Sequence, residues 1–105
     1  MEDKVRINAL LDWYMPLLTE RQKKIAGYYF REDLSYQEIA ELEGISRTAV
    51  YDTVSHCREQ MNHYEEVLHC MERSSARKKL YQQILDCTDN KEIKDLIVRC
   101  KNTEE

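Results

Sequence analysis

Glycine and proline are almost missing from this chain, which has two glycines and one proline among 105 residues. Hairpins and long loops need such residues at their corners, so little material exists for a β-rich fold. No apolar run is long enough to span a membrane. The opening Met1-Glu-Asp-Lys4 lacks the basic and apolar regions of a signal peptide. A cytoplasmic protein with no membrane partner is therefore expected. The cysteines stand at 57, 70, 87 and 100, never closer than thirteen residues, so the Cys-x-x-Cys signature of zinc and redox sites is missing. Reduced, mostly buried thiols are the plainer expectation. His63 and Cys70 lie seven apart and can share a helix face, but without paired ligand spacing no metal is expected. There is no Gly-rich phosphate loop, no His-Glu-x-x-His and no nucleophile elbow. His56 and Cys57 are neighbours, and helical neighbours point about 100° apart, which does not make a dyad. No catalytic residue and no cofactor is expected.

What is present is charge and helical periodicity. Charged residues make up 34% of the chain and apolar ones 42%, which suits a soluble all-α protein. The stretch Leu34 to Met71 organises the rest. Ser35 is a good N-cap and Glu38 can close a capping box with it, while Leu34 and Ile39 occupy the positions of a hydrophobic staple. Ile39, Ala40 and Leu42 form a small apolar face. Gly44 follows where a helix needs a residue tolerant of positive φ. Ser46 caps the next helix, flanked by Ile45 and Val50. Two capped helices around a Gly turn make a helix-turn-helix.

Behind Ser46 the apolar positions are Val50, Val54, Cys57, Met61, Tyr64, Leu68 and Met71. Their spacing alternates four and three, a heptad seam with no Gly or Pro to interrupt it. Up to Met61 the seam packs within the chain. From Tyr64 onward it suits either that same core or a second chain, and a homodimer is expected, with Tyr64, Leu68 and Met71 as candidate interface residues.

The chain before the motif reads as two more helices. The first begins at an Asp3 cap, carries Ile7, Leu10, Leu11, Tyr14, Leu17 and Leu18 on its apolar side, and is limited near Met15 by Pro16. Trp13 and Tyr14 read as core residues. Thr19 and Gln22 form a capping box for the second, which buries Ile25, Tyr28, Tyr29 and Phe30. After Met71 a break is expected at Glu72-Arg-Ser-Ser-Ala76. A helix with Leu80, Tyr81, Ile84 and Leu85 follows, then a last one capped by Thr88 or Asp89 with Glu92 and carrying Ile93, Leu96, Ile97 and Cys100. The tail from Lys101 reads as frayed. The expected organisation is thus a helix-turn-helix domain over residues 1–72, including the long heptad-patterned helix, and a helical appendage over 73–105.

Charge qualifies the nucleic-acid reading. Residues 1–34 are neutral, 35–45 carry three acids and no base, 46–72 are net −3, and 73–105 are net +2. A DNA-binding face normally gathers Lys and Arg, yet this recognition helix has only Arg47 and Arg58. The candidate nucleic-acid residues are Arg47, Thr48, Tyr51, Asp52, Ser55 and Arg58, with Lys23 and Lys24 on the second helix as phosphate contacts. Arg47 can pair with guanine, Thr48 can meet a thymine methyl, and Asp52 repels phosphate but can accept from cytosine. The denser basic cluster, Arg73, Arg77, Lys78 and Lys79, reads either as a solvated face or as a contact for an acidic partner or an RNA backbone.

Two resemblances follow. Leu17-Leu-Thr-Glu-Arg-Gln22, Leu34-Ser-Tyr-Gln-Glu-Ile-Ala40 and Ile45-Ser-Arg-Thr-Ala-Val50 resemble region 4 of bacterial sigma factors. This implies a helix-turn-helix of winged-helix-superfamily type and a DNA-binding ancestry for Arg47, Thr48, Tyr51 and Asp52. The equivalent sigma helix is richer in Arg and Gln. The closer resemblance is to the YlxM family of small bacterial helix-turn-helix proteins. It is carried by Leu10-Leu-Asp-Trp-Tyr14, Leu17-Leu-Thr19, Ser35-Tyr-Gln-Glu-Ile-Ala-Glu41, Ser46-Arg-Thr-Ala-Val-Tyr-Asp52 and Tyr64-Glu-Glu-Val-Leu68. That family is named as a regulator or accessory of the signal recognition particle pathway, through gene neighbourhood with the particle's GTPase subunit. The resemblance implies that subunit or the particle's RNA as partner. A sequence-specific DNA-binding regulator is the alternative.

Overall fold

The computed structural model describes residues 4–104. Among them are six α-helices and no strand. They fall into two compact units, one ending at Leu68 and the other beginning at His69.

In the first unit α1 is Lys4–Tyr14, and Pro16 stops it by drawing Met15–Leu17 into a tighter 3-10 turn. The expected Asp3 cap lies outside the described residues. α2, Glu20–Ala26, opens on the Thr19–Gln22 capping box and runs into a π-helical turn at Gly27–Arg31. α3, Tyr36–Glu43, opens on the Ser35–Glu38 box and closes on Gly44 in the left-handed conformation, φ 66°. α4, Arg47–Leu68, begins where the Ser46 hydroxyl accepts from the Ala49 amide. These caps satisfy amides that the first helical turn leaves without a carbonyl.

α4 packs against α1, α2 and α3. Val50, Val54, Cys57 and Met61 are fully buried along one side of it, as the four–three–four spacing requires. They meet Ile7, Leu10, Leu11 and Tyr14 from α1, Ile25, Ala26 and Phe30 around α2, and Ile39 and Ala40 from α3. One polar group enters this core. The Tyr14 hydroxyl donates to Glu65 at 2.5 Å, and both residues are buried.

The π turn is a feature the apolar spacing did not announce. It widens the end of α2 and frees the Phe30 carbonyl, which accepts from the Asn8 side chain at 2.6 Å. The widened turn buries Phe30 and leaves Tyr28 and Tyr29 half-buried. Leu17 and Leu42, read as core, are exposed instead. Leu17 sits in the tightened turn after Pro16, and Leu42, two residues past the buried Ala40, lies on the side of α3 away from it.

The long helix ends earlier than its heptad pattern predicts. His69 takes a left-handed conformation, φ 56°, and separates Leu68 from Met71. Histidine tolerates this region better than most side chains, and no Gly or Pro marks the place. The expected break at residues 72–76 is absent, because α5 runs unbroken over Cys70–Cys87 and the two serines lie inside it. α6, Lys91–Asn102, is capped by Asn90, whose side chain accepts from the Ile93 amide, rather than by Thr88 or Asp89. Thr88 instead accepts from the Asn90 amide, one step before the cap.

Nor is the end of α6 frayed. The Glu104 carboxylate accepts from Ser74 at 2.5 Å, from Arg77 at 2.6 and 3.0 Å, and from Tyr81 at 3.3 Å. Ser74, Arg77 and Tyr81 lie three and four residues apart, so one side of α5 presents all three donors. The Arg77 bond first, and then the Ser74 bond, hold the Glu104 carboxyl down at about 2, against an ordinary 4.5.

Two tests follow from these local geometries. Gly44→Ala places a Cβ in the left-handed region and is expected to destabilise the protein by about 1–2 kcal/mol. Gly27 has φ −60° and open space where a Cβ would go, so Gly27→Ala is expected to stabilise it by roughly 0.4–1 kcal/mol. Urea unfolding of the two variants measures both signs. A carboxylate whose folded pKa is lowered stabilises the fold above its unfolded value and loses that contribution as pH falls toward the folded one. The Ser74 and Tyr81 resonances are accordingly expected to shift between pH 4.5 and about 2, and Glu104→Gln is expected to abolish that step.

Candidate functional site

The candidate reading surface is the first three turns of α4. Arg47, Thr48, Tyr51 and Asp52 are exposed and Ser55 is half-buried. The Ser46 cap and the left-handed Gly44 set the direction of this end of the helix, since together they fix the turn from α3. Tyr51 stands 51% exposed, its ring edge-on to Tyr36 with centroids 5.6 Å apart. Tyr36 in turn stacks flat on Tyr29 at 5.0 Å, and their hydroxyls are 3.4 Å apart. The Lys4 ammonium lies 4.3 Å over the Tyr29 ring. This aromatic array joins α1, the π turn, α3 and α4, and gives Tyr51 a firm backing. Burial, and then the neighbouring Tyr29 hydroxyl, push the Tyr36 phenol above its ordinary pKa.

Arg58 belongs to that array and not to the exposed face. Its guanidinium lies 5.6 Å over the Phe30 ring and beside the Tyr36 hydroxyl. Eleven residues from Arg47, it returns to nearly the same side of the helix, but there α3 and the π turn cover it. Lys24 is paired with Glu43 at 3.3 Å and Lys23 with Glu20 at 3.0 Å. Exposed pairs of this kind contribute about 1 kcal/mol or less, yet any phosphate would have to displace a carboxylate from each lysine. Asp52, Glu59 and Glu66 are exposed on α4, and Glu38 and Glu41 on α3. Asp52 thus offsets Arg47 within the first three turns, and the acids of α3 leave residues 35–58 net negative, with Arg47 as the exposed cation of α4.

The second group of candidates is divided between the two units. Tyr64 is half-buried with its ring 5.9 Å from that of Tyr14. Leu68 is exposed at the end of α4, and His69 interrupts the helix before Met71, so no single helix carries the three. On α5, Arg73, Lys78 and Lys79 are exposed. Arg77 is taken up by Glu104.

Residue spacing missed the buried Glu65 and the Glu104 cluster. Ser74, Arg77 and Tyr81 on one side of a helix were the available signal for the second. Cys57 is fully buried, and burial pushes its thiol up to about 11, which keeps it protonated at neutral pH. Among the described residues, no three His, Cys, Asp or Glu side chains converge as they would around a metal ion. No helix of the described residues is long and apolar enough to cross a membrane.

A family profile described as "Putative helix-turn-helix protein, YlxM / p13 like" (UPF0122) matches residues 1–101. The chain belongs to this family. Among its relatives, a UPF0122 protein of Clostridium botulinum is 40% identical over 86 residues, covering 82% of this chain and 79% of its own. One from Clostridium perfringens is 36% identical over 85 residues, covering 81% and 76%. One from Oceanobacillus iheyensis is 35% identical over 104 residues, covering 99% of both chains. The profile thus spans the helix-turn-helix and reaches into α6, so the UPF0122 family is defined by both units and not by the motif alone.

The two arginines of the reading helix are expected to part company on substitution. Arg58→Ala removes a cation held over an aromatic ring and is expected to cost about 1–2 kcal/mol of stability. Arg47→Ala is expected to change stability by less than about 0.5 kcal/mol. Thermal melts of the two variants check this directly.

Proposed function

We propose that this UPF0122 protein is a non-enzymatic accessory or regulatory protein of the signal recognition particle pathway, using its helix-turn-helix to dock rather than to read an operator. The observation that carries the reading is the charge of the motif. Glu38 and Glu41 on α3 and Asp52 on α4 are exposed within the motif, against one exposed cation, Arg47. Such a face repels the phosphate backbone of operator DNA, which binding proteins must neutralise. It is complementary to a basic protein surface, and proteins that bind RNA carry one. The particle's GTPase subunit, which shares its particle with an RNA, is the partner proposed. The link to that pathway follows the YlxM resemblance. Arg73, Lys78 and Lys79, exposed on α5, are the proposed contacts should the particle's RNA also be touched.

A second reading, a sequence-specific DNA-binding regulator, is favoured by one observation. Arg47, Thr48 and Tyr51 stand clear of the core at the leading end of a recognition helix, where base edges are read.

A tagged pull-down from the native bacterial cytoplasm, divided into nuclease-treated and untreated halves, tests the proposal. Recovery of the GTPase subunit in both halves is expected. Its loss after ribonuclease moves the contact to the particle's RNA. Discrete DNA fragments without the subunit overturn the accessory reading, and Arg47→Ala is then expected to abolish their recovery.

A further inference from the structure

The second unit is a helical pair that does not bury its own apolar side chains. Ser74 is the one residue of α5 that is buried, and α6 has none. Leu80, Ile84, Ile93 and Leu96 are between 37% and 55% exposed. Ser74 and Tyr81 turn toward the end of α6, where Glu104 accepts from both. With those positions facing inward, the 100° step per residue places Leu80 and Ile84 on one flank of α5 and Leu96 on the matching flank of α6, with Ile93 at its edge. The four therefore share one face of the pair.

Such a unit is not self-sufficient. Short helices in water owe most of their stability to tertiary packing of an apolar face, and small units without a core need an external staple. Whatever covers the face must be present whenever the chain folds. A second copy of the chain satisfies that condition, whereas a partner recruited on occasion does not.

The two ends of the pair also carry opposite net charge. The open end of the pair, over residues 72–79 and 99–104, carries Arg73, Arg77, Lys78, Lys79, Arg99 and Lys101 with two acids, Glu72 and Glu104. The turn end, over residues 86–95, carries Asp86, Asp89, Glu92 and Asp95 with two bases, Lys91 and Lys94. A two-fold axis through the face lays the open end of one copy beside the turn end of the other, basic against acidic. Parallel stacking would set like charges together. The area also suffices. At 1.5 Å per residue, two adjacent helices of this length offer a footprint of roughly 500 Å² per copy, about 1,000 Å² in total. That is about the threshold for a specific interface.

We propose that the α5–α6 face of one chain packs antiparallel on the same face of a second copy, giving a four-helix dimer centred on Leu80, Ile84 and Leu96. The interface lies in the second unit and not along the α4 seam. It is independent of the signal recognition particle reading, because it concerns the chain's own association.

Sedimentation velocity of the full chain over a range of concentrations tests it. A species of twice the 12.6 kDa chain mass is expected, and a monomer at all concentrations overturns the proposal. Leu96→Glu is expected to give a monomer, while Leu68→Glu is expected to leave the dimer intact. A dimer that survives Leu96→Glu, or one that dissociates with Leu68→Glu, places the interface elsewhere and overturns the assignment. Salt provides a readout independent of substitution. The charge arrangement predicts weaker association at 1 M than at 0.1 M ionic strength. Association that strengthens with salt refutes the antiparallel charge match.

Discussion

One row of side chains holds the first unit together. Val50, Val54, Cys57 and Met61 are fully buried on α4, and α1, α2 and α3 each pack against that helix. Burying a large aliphatic side chain contributes about 1.5–3 kcal/mol, so this row is where the three shorter helices gain their stability. None of them is long enough to persist alone in water. The helix-turn-helix geometry is thus a by-product of packing. The caps and Gly44 set where α3 ends and α4 begins, and the α4 row decides what they lean on.

That arrangement explains which parts of the fold could be read from residues. Capping boxes are local, complete within four residues, and both appear where Thr19-Gln22 and Ser35-Glu38 place them. Gly44 is equally local, since its φ needs no distant partner. The buried stretch of the seam was legible because 3.6-residue periodicity survives as long as one partner surface continues. Other features depended on contacts across the chain. The π turn answers to Asn8, some twenty residues away, and to the aromatic stack beneath Tyr51. His69 stops α4 although it carries no breaker signature. Glu104 is ordered by donors on another helix, which nothing in its own neighbourhood foretells.

The candidate site divides along the same line. Arg47, Thr48, Tyr51 and Asp52 are exposed because helical spacing alone fixes which side of α4 they occupy. Arg58 sits at a similar helical angle but three turns farther on, where the π turn has brought Phe30 beneath it. A helical wheel has no depth along its axis and cannot separate the two. The ion pair of Lys24 was invisible for a related reason, because Glu43 approaches it only after α2 and α3 have packed, whereas Lys23 pairs locally with Glu20 three residues away. What remains is a recognition helix with its shape intact and its charge changed.

The buried Cys57 thiol carries a consequence of its own. Its Sγ lies within the α4 row, 4.0 Å from the Gln22 carbonyl. An alkylating reagent in the medium therefore meets it only when α2 lifts from α4. Cys87, by contrast, lies exposed on α5 and is open to the same reagent in the folded chain. The molecule thus contains a slow thiol in its first unit and a fast one in its second, where Cys70 and Cys100 are half-buried. The slow one keeps time on the opening of the helix-turn-helix.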